Sequence, residues 1–374
     1  MACLKHTHKK TWAIFFLSIY SYFIFVLCTF YYSEKLPTYK GYSSIKESNC
    51  SMHPTNIIRT VHSRAAPQVQ TRSSNQSSIV ILLWTWPSGH TFTLNQCPPS
   101  VDSSDCFFTV DRSMYSVANA VVIHHRDVSR SQSQLPQGPR PPNQYWIWFS
   151  LESPSNLRNL TIMDNLINMT MSYRTDSDIF TPYGWLEKSD DKVNFTIPQK
   201  TRLVAWTISN WKTKHKRFMY FTELKEYIQI DVYGKYHVPL PRKLQFQTLS
   251  TYKFYLAFEN SIHEDYITEK LWSNAFLAGT VPVVMGPPRK NYERFVPPDS
   301  FIHVDDFSSP QELASYLLSL DKDDQKYQQY FTWRSRYQPV KLRKTWVTEY
   351  CKVCKALKEA PSYRTIPSIA EWFK

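Results

Sequence analysis

Glycine is scarce in this chain, seven residues in 374, and neither an internal repeat nor a low-complexity tract is present. A repeat array and a disordered, linker-like chain are thereby excluded. Acidic side chains are also in deficit, with 31 Asp and Glu against 44 Lys and Arg, which leaves a formal charge of +13. Net charge reports on partners rather than on fold, so nucleic acid, an anionic membrane surface and a phosphorylated small molecule all stay open on this count. The cysteines have no neighbouring metal-ligand pattern and no thioredoxin-like context, which argues against a zinc or redox site at Cys351-x-x-Cys354. Long hydrophobic runs are missing except for one, from Trp12 to Tyr32, which carries no charged residue. Its length suits the span of a hydrocarbon core.

Lys5, Lys9 and Lys10 precede that run, so the positive-inside bias puts residues 1–11 in the cytosol, makes 12–32 a type II signal anchor and carries the rest across the membrane. A cleaved signal peptide is the rival reading. The run is long for one, and no clear small-x-small cleavage site follows it. In this orientation nucleic acid falls away as the reason for the positive charge. Five N-x-[ST] acceptors, at Asn49, Asn75, Asn159, Asn168 and Asn194, fit a secretory lumen. Cys50, Cys97, Cys106, Cys351 and Cys354 then stand in an oxidising space, where two close pairs suggest two structural disulfides with Cys50 left over.

With 42% hydrophobic and 16% aromatic residues, the remainder can bury the cores of two domains. Residues 33–75 are polar and aperiodic and read as a stem. Beyond them, apolar runs alternate with helical stretches in a βαβ manner. The strand candidates are 78–86, 119–123, 145–151, 203–208, 228–233, 254–258 and 280–285. Their continuous apolar character suits strands of parallel sheets covered on both faces. Helical spacing joins Phe218, Phe221, Leu224 and Ile228, and again Ile267, Leu271, Ala275 and Ala278 before Gly279. The expected division is an α/β domain at 76–198 and a second at 199–374.

In open α/β sheets the ligand lies beyond the carboxyl ends of the strands. The polar residues at those places are His124-His125-Arg126-Asp127 and Glu152 in the first domain, and Ser209-Asn210 and Glu259-Asn260 in the second. The stretch FENSIHEDYITEKLWSNAF, Phe258 to Phe276, reads as a strand end, a turn and a helix start that brings Tyr266, Glu269 and Lys270 to the first turn. Backbone N–H groups, the helix dipole and the Lys270 charge favour a phosphate there, against the bland alternative of a surface Glu-Lys pair.

The run KFYLAFENSIHEDYITEKLWSNAF, followed by VPVVMGPPRKNYERFVPPDSFIHVDDF, closely resembles the signature of animal α1,3-fucosyltransferases of glycosyltransferase family 10. WIWFSLESP (Trp146 to Pro154), YRTDSDIFTPYGW (Tyr173 to Trp185) and AWTISNW (Ala205 to Trp211) do so too, and the likeness covers nearly everything from Ile79 to Cys354. It departs from the pattern at Ser88, Lys212, Met285 and Pro288. The resemblance implies an α/β GT-B fold, two Rossmann-like domains facing a cleft after the single transmembrane helix. The acceptor lies on the first domain and GDP-fucose on the second, and the C-terminal segment returns to the first domain. It also implies inverting transfer of L-fucose from GDP-β-L-fucose to O3 of GlcNAc in Galβ1,4GlcNAc glycans, giving a Lewis x-type product. Core N-glycan α1,3-fucosylation and a catalytically silent glycan-binding paralogue are the alternatives.

Glu152 is by similarity the base for the acceptor hydroxyl. Its place after Trp146, Trp148 and Phe149 suggests partial desolvation, which would raise its pKa. Arg217 and Lys270 match basic residues that bind the donor diphosphate, with Asn210, Asn260, Tyr266 and Glu269 as further donor contacts and His124, His125, Arg126 and Asp127 toward the acceptor. Asp176-Ser177-Asp178 looks like a metal-binding DxD, but it falls in the expected acceptor domain and the resembled family is metal-independent. No cofactor is therefore expected, with Mn²⁺ at most stimulatory. The family pairs Cys97 with Cys351 and Cys106 with Cys354. Arg at position 126 accompanies β1,4-linked acceptors in the family, whereas Trp accompanies β1,3-linked ones. The resemblance places the protein in the Golgi membrane with its catalytic part lumenal and with glycoprotein or glycolipid glycans as partners. Whether it forms a homodimer stays open.

Overall fold

The computed structural model describes residues 78–189, 194–342, 347–360 and 362–374. The proposed anchor at 12–32, the stem, Asn49, Asn75 and Cys50 lie outside the described residues. Among the described residues no helix is long and apolar enough to cross a membrane.

Six strands form the first sheet: β1 (Ile79–Leu83), β2 (Cys106–Thr109), β3 (Ala120–His124), β4 (Tyr145–Ser150), β5 (Met169–Ser172) and β6 (Ile179–Phe180). All pair in parallel in the order β2-β1-β3-β4-β5-β6. The next strand, β7 (Gly184–Lys188), leaves this sheet. The second sheet takes β8 (Arg202–Thr207), β9 (Ile230–Tyr233), β10 (Tyr252–Phe258), β11 (Val281–Met285) and β12 (Ile302–His303), again parallel, in the order β12-β11-β10-β8-β9. The last strand, β13 (Tyr337–Lys341), runs antiparallel to β7. The central strands have no half-exposed face: β3 and β11 are buried throughout, and β4 and β10 nearly so. That is why their sequences read as unbroken apolar runs. Each expected strand is present to within a few residues. β2 and β5 escaped the sequence reading because they are four residues long and carry Thr and Ser among their apolar positions.

Both sheets belong to one compact unit. In each, strand order reverses direction beside the first strand, between β1 and β3 and between β8 and β10, and a crevice opens at such switch points. The helix expected around 218–228 runs from Lys216 to Leu224, burying Phe221 and Leu224. The helix expected around 267–278 differs more: it is a π-helix, Lys270–Leu277, whose apolar face of Leu271, Trp272, Ala275 and Phe276 is buried. Tyr266 therefore sits in the turn before the helix, whereas Glu269 is its N-cap, directly before Lys270. Gly184 lies where an added Cβ would run into Trp272 of that helix and the Val340 carbonyl, so only glycine lets β7 and β13 cover it.

The chain end packs on the first sheet. Two disulfides, Cys97–Cys351 and Cys106–Cys354, clamp the helix Val347–Lys358, in the pairing that the resemblance implied. The helix Ile369–Phe373 lays Phe373 against Trp148, ring centroids 4.7 Å apart. One glycosylation reading is corrected here. Asn168 is 2% exposed; its amide donates to the Arg364 carbonyl at 2.6 Å, and its oxygen accepts from the Trp146 N–H at 2.7 Å. A side chain so enclosed has no room for a glycan. Asn159 and Asn194 are exposed.

Candidate active site

Beyond β10 the chain places Glu259, 3% exposed, at the foot of the turn that leads to the π-helix. One of its oxygens accepts from the Thr268 N–H at 2.8 Å, and the other lies 3.0 Å from Lys270 Nζ. Lys270 also meets Glu269 at 3.2 Å and donates to Thr268 Oγ1 at 2.8 Å. Burial works against both charges. It pushes the Glu259 carboxyl above its ordinary value, while for Lys270 the two carboxylates outweigh burial and hold the ammonium firmly protonated. Two carboxylates on one cation make this a preorganised charge rather than a loose surface pair.

Arg217 joins it from the helix after β8. It is 4% exposed and donates to the Asn210 carbonyl at 2.9 Å and the Phe258 carbonyl at 3.3 Å. Burial lowers its pKa and the charge of Glu259 opposes that shift. Its Nε, like Nδ1 of His215, is buried without a hydrogen-bond partner. Buried polar atoms of this kind carry a desolvation cost unless a partner meets them. Both residues line a cavity of about 330 Å³ together with Lys216, Glu259, Asn260, Ser261, Ile262, Met285 and Ser155. Cationic and N–H donors converging on a concave site suit an anionic ligand. Met285, one of the departures from the family pattern, is part of that lining, whereas Lys212 and Pro288 are exposed. Asn210 is exposed and contributes only its carbonyl, to Arg217. Tyr266 is 2% exposed, and its ring centroid lies 5.0 Å from that of Tyr173 and 6.3 Å from that of Tyr183.

The first sheet presents a looser group. Glu152 follows β4 with its side chain 34% exposed, more open than its aromatic approach suggests, because Trp146, Trp148 and Phe149 turn into the core. Arg126 Nη1 stands 3.4 Å from Glu152 Oε1, and its side chain is 62% exposed. Asp127 receives the Ser88 N–H at 2.9 Å and shares a 2.6 Å bond with His124 Nδ1. Burial tends to raise its pKa, but these partners prevail and hold the carboxyl below the usual range. Ser88 adopts φ +53 to deliver that N–H, so this departure from the family pattern is where the loop turns back. His125 does not belong to the group: it is fully buried, and its Nε2 bonds to the Arg158 carbonyl at 2.7 Å. It is a core histidine, and the expectation that it meets a ligand is withdrawn. A second cavity, of about 440 Å³, opens beside Asp127 and is lined by Trp84, Arg112, Gln134 and Gln137.

The two groups meet. Ser153 and Ser261 hydroxyls are 2.6 Å apart, Ser155 and His263 share a 2.7 Å bond, and Asn156 donates to Asn260 at 3.0 Å. The loop after Glu152 thus lies against the segment that carries the cationic group. Glu259 and Ser155 had no assigned role in the sequence reading. The position of Glu259 directly after a strand end was the available signal, and nothing local marked Ser155.

Comparison with known proteins finds relatives over most of the chain. Residues 197–372 match the family described as glycosyltransferase family 10 (fucosyltransferase) C-term, and residues 76–184 match the fucosyltransferase N-terminal family. The chain is 52% identical over 315 residues to the 3-galactosyl-N-acetylglucosaminide 4-alpha-L-fucosyltransferase FUT3 of Bos taurus, covering 83% of this chain and 86% of that one. It is 52% identical over 301 residues to the 4-galactosyl-N-acetylglucosaminide 3-alpha-L-fucosyltransferase FUT5 of Homo sapiens, covering 79% and 80%. A crystal structure of an alpha1,3-fucosyltransferase shares the fold, with 16% identity and a TM-score of 0.52 over 76% of this chain and 91% of that one.

Proposed function

The chain belongs to glycosyltransferase family 10, the fucosyltransferases, and on that premise we propose that it transfers L-fucose from GDP-β-L-fucose to O3 of GlcNAc in Galβ1,4GlcNAc glycans, with inversion. The observation that carries this reading is the buried Arg217 on the wall of one cavity, with Lys270 bound to the Glu259 carboxylate of the same wall and the loop following Glu152 packed against that segment. The two sheets act as facing halves of a GT-B enzyme, donor on the second and acceptor on the first.

In the proposed step Glu152 takes the proton of the acceptor hydroxyl as that oxygen attacks the anomeric carbon. The bond from that carbon to the GDP oxygen breaks on the opposite face. Arg217 and Lys270 receive the charge that develops on the diphosphate, a task for which fixed, desolvated cations suit best because they need not reorganise during reaction. Asn260, Tyr266 and Glu269 hold the nucleotide sugar, and no divalent metal is required. Arg126, solvent-facing, meets the disaccharide. Relatives named for both linkages are equally similar, so the choice of O3 rests on Arg126 alone. The protein works as a type II anchored enzyme of the Golgi membrane.

A glycan array incubated with GDP-fucose and the detergent-solubilised full chain tests the reading. Transfer confined to β1,4-linked lactosamine, within a few-fold of the untreated rate in EDTA, is the expected result. Transfer only to the chitobiose core would move the enzyme to core fucosylation, and complete Mn²⁺-reversible loss in EDTA would return Asp176 and Asp178 to a metal role.

A further inference from the structure

The Asp176-Ser177-Asp178 run is occupied by its neighbours. Arg174 holds Asp176 through bonds of 2.8 and 2.7 Å, Ser177 shares a bond of 2.6 Å with Ser172, and Asp178 accepts from Thr170 N–H and Oγ1 at 2.7 and 2.9 Å. The residue just before the run reaches across the molecule instead. Thr175 N–H and Oγ1 both donate to one oxygen of Asp265, at 2.9 and 2.7 Å, 90 residues further along the chain.

Asp265 is 5% exposed and its carboxylate is saturated. Its other oxygen accepts from Asn291 Nδ2 at 2.7 Å and from Arg294 Nη1 at 3.1 Å. Its own N–H donates to Asn291 Oδ1 at 2.9 Å, and Arg294 Nη2 donates to Thr175 Oγ1 at 2.7 Å, closing the circuit. The backbone of Asp265 sits at φ +60. Asp tolerates this left-handed region better than most residues, yet it is a sparsely populated conformation that persists only where surrounding contacts over-determine it. Here donors from both halves of the protein do so. The strained residue immediately precedes Tyr266, whose ring lies against Tyr173 and Tyr183, and it lies five residues before Lys270.

We propose that Asp265 is a positioning residue for fucosyl transfer: by gripping Thr175 it sets the distance and angle between the donor-holding segment 259–270 and the half of the protein that carries Glu152. The inference rests on the functional reading above and adds a role for a residue outside it. Thr175 adds to the contacts of the loop 153–156 and to the packing of Tyr266 on Tyr173 and Tyr183, so the grip limits how segment 259–270 turns against the first half. Catalysis by proximity is sensitive to such placement, since a misplacement of about 1 Å can cost on the order of a hundredfold in rate.

The test uses the full chain and Thr175→Val, which removes the hydroxyl from the circuit while leaving every donor-side residue in place. The expected result is a fall in kcat for transfer of about tenfold, with GDP affinity by calorimetry unchanged and the ratio of fucose transferred to GDP-fucose hydrolysed reduced. Thr175→Ser, which restores the hydroxyl, should recover most of the rate. Asp265→Asn keeps a residue that accepts the left-handed backbone, and adding Thr175→Val to it should cost little more. An unchanged transfer rate per GDP-binding site in Thr175→Val overturns the inference, as does a loss of rate that only tracks a loss of folded, GDP-binding protein. Absence of transfer by the unsubstituted chain removes the fucosyl-transfer reading itself, a result distinct from either.

Discussion

The ends of the two sheets face the same problem, ligand recognition beyond parallel strands, and solve it in opposite ways. At the second sheet the charged groups are enclosed: Glu259 and Arg217 are almost fully buried, and the Lys270 side chain is 12% exposed. At the first sheet Arg126 stands largely in solvent and Glu152, 3.4 Å from it, is partly exposed, while Asp127 and His124 hold each other. A compact, doubly charged diphosphate rewards desolvated cations, since attraction grows as water is excluded. A neutral glycan attached to a large carrier needs an accessible ledge whose polar groups can be rehydrated between substrates. On the proposed reading, rigidity belongs to the side that would receive charge and openness to the side that would receive the glycan.

The comparison breaks first at Glu152. Glu152→Gln keeps size and hydrogen bonding but cannot accept a proton, so transfer should fall by about 10²- to 10⁴-fold while GDP binding by calorimetry stays the same. Near-normal transfer by this variant would leave the open side without a chemical role. Lys270→Ala should lower kcat/KM by about 2–4 kcal/mol of transition-state stabilisation. It should also weaken the fold by about 3–5 kcal/mol in urea unfolding, because Glu259 is left buried without its cation. Adding Glu259→Gln ought to restore stability without restoring rate. If rate returns as well, the pair is structural and the cationic argument fails.

The disulfides sharpen the contrast from another direction, since both fasten the first half to the chain end. Cys106→Ser with Cys354→Ser should cost roughly 2–5 kcal/mol of stability, and non-reducing peptide mapping should recover Cys97 with Cys351 in that variant. A peptide joining Cys351 to Cys354 in the native chain would contradict the pairing. The smallest effect is expected at Arg126. Replacing this exposed fork with a flat ring, Arg126→Trp, should shift the ratio of transfer to β1,4- and β1,3-linked disaccharides toward the latter with little change in stability. Equal use of both by the native chain, or an unmoved ratio, defeats the assignment.

Much of this was legible in the residues themselves. Continuous apolar runs identified the central strands because parallel strands covered on both faces have no polar face to alternate. The polar residues directly after those runs, Glu152 and Glu259 among them, were readable as strand-end positions, whereas Arg217 and Lys270, in the helices that follow, took their assigned role from the family resemblance. His125 and Asn168 misled for one reason: a motif records residue type and spacing, whereas burial is decided by what packs from elsewhere, here the Arg158 carbonyl on one and the Arg364 carbonyl on the other. The sequence by itself determined the periodicity of the elements and the chemistry available at their ends. The tertiary structure alone decided that Glu259 meets Lys270, that Ser155 lines the cavity beside Arg217, and that Thr175 closes on Asp265. The Ser155–His263 and Thr175–Asp265 bonds join positions 108 and 90 residues apart, and no local pattern encodes a pairing that exists only once two sheets have been brought together.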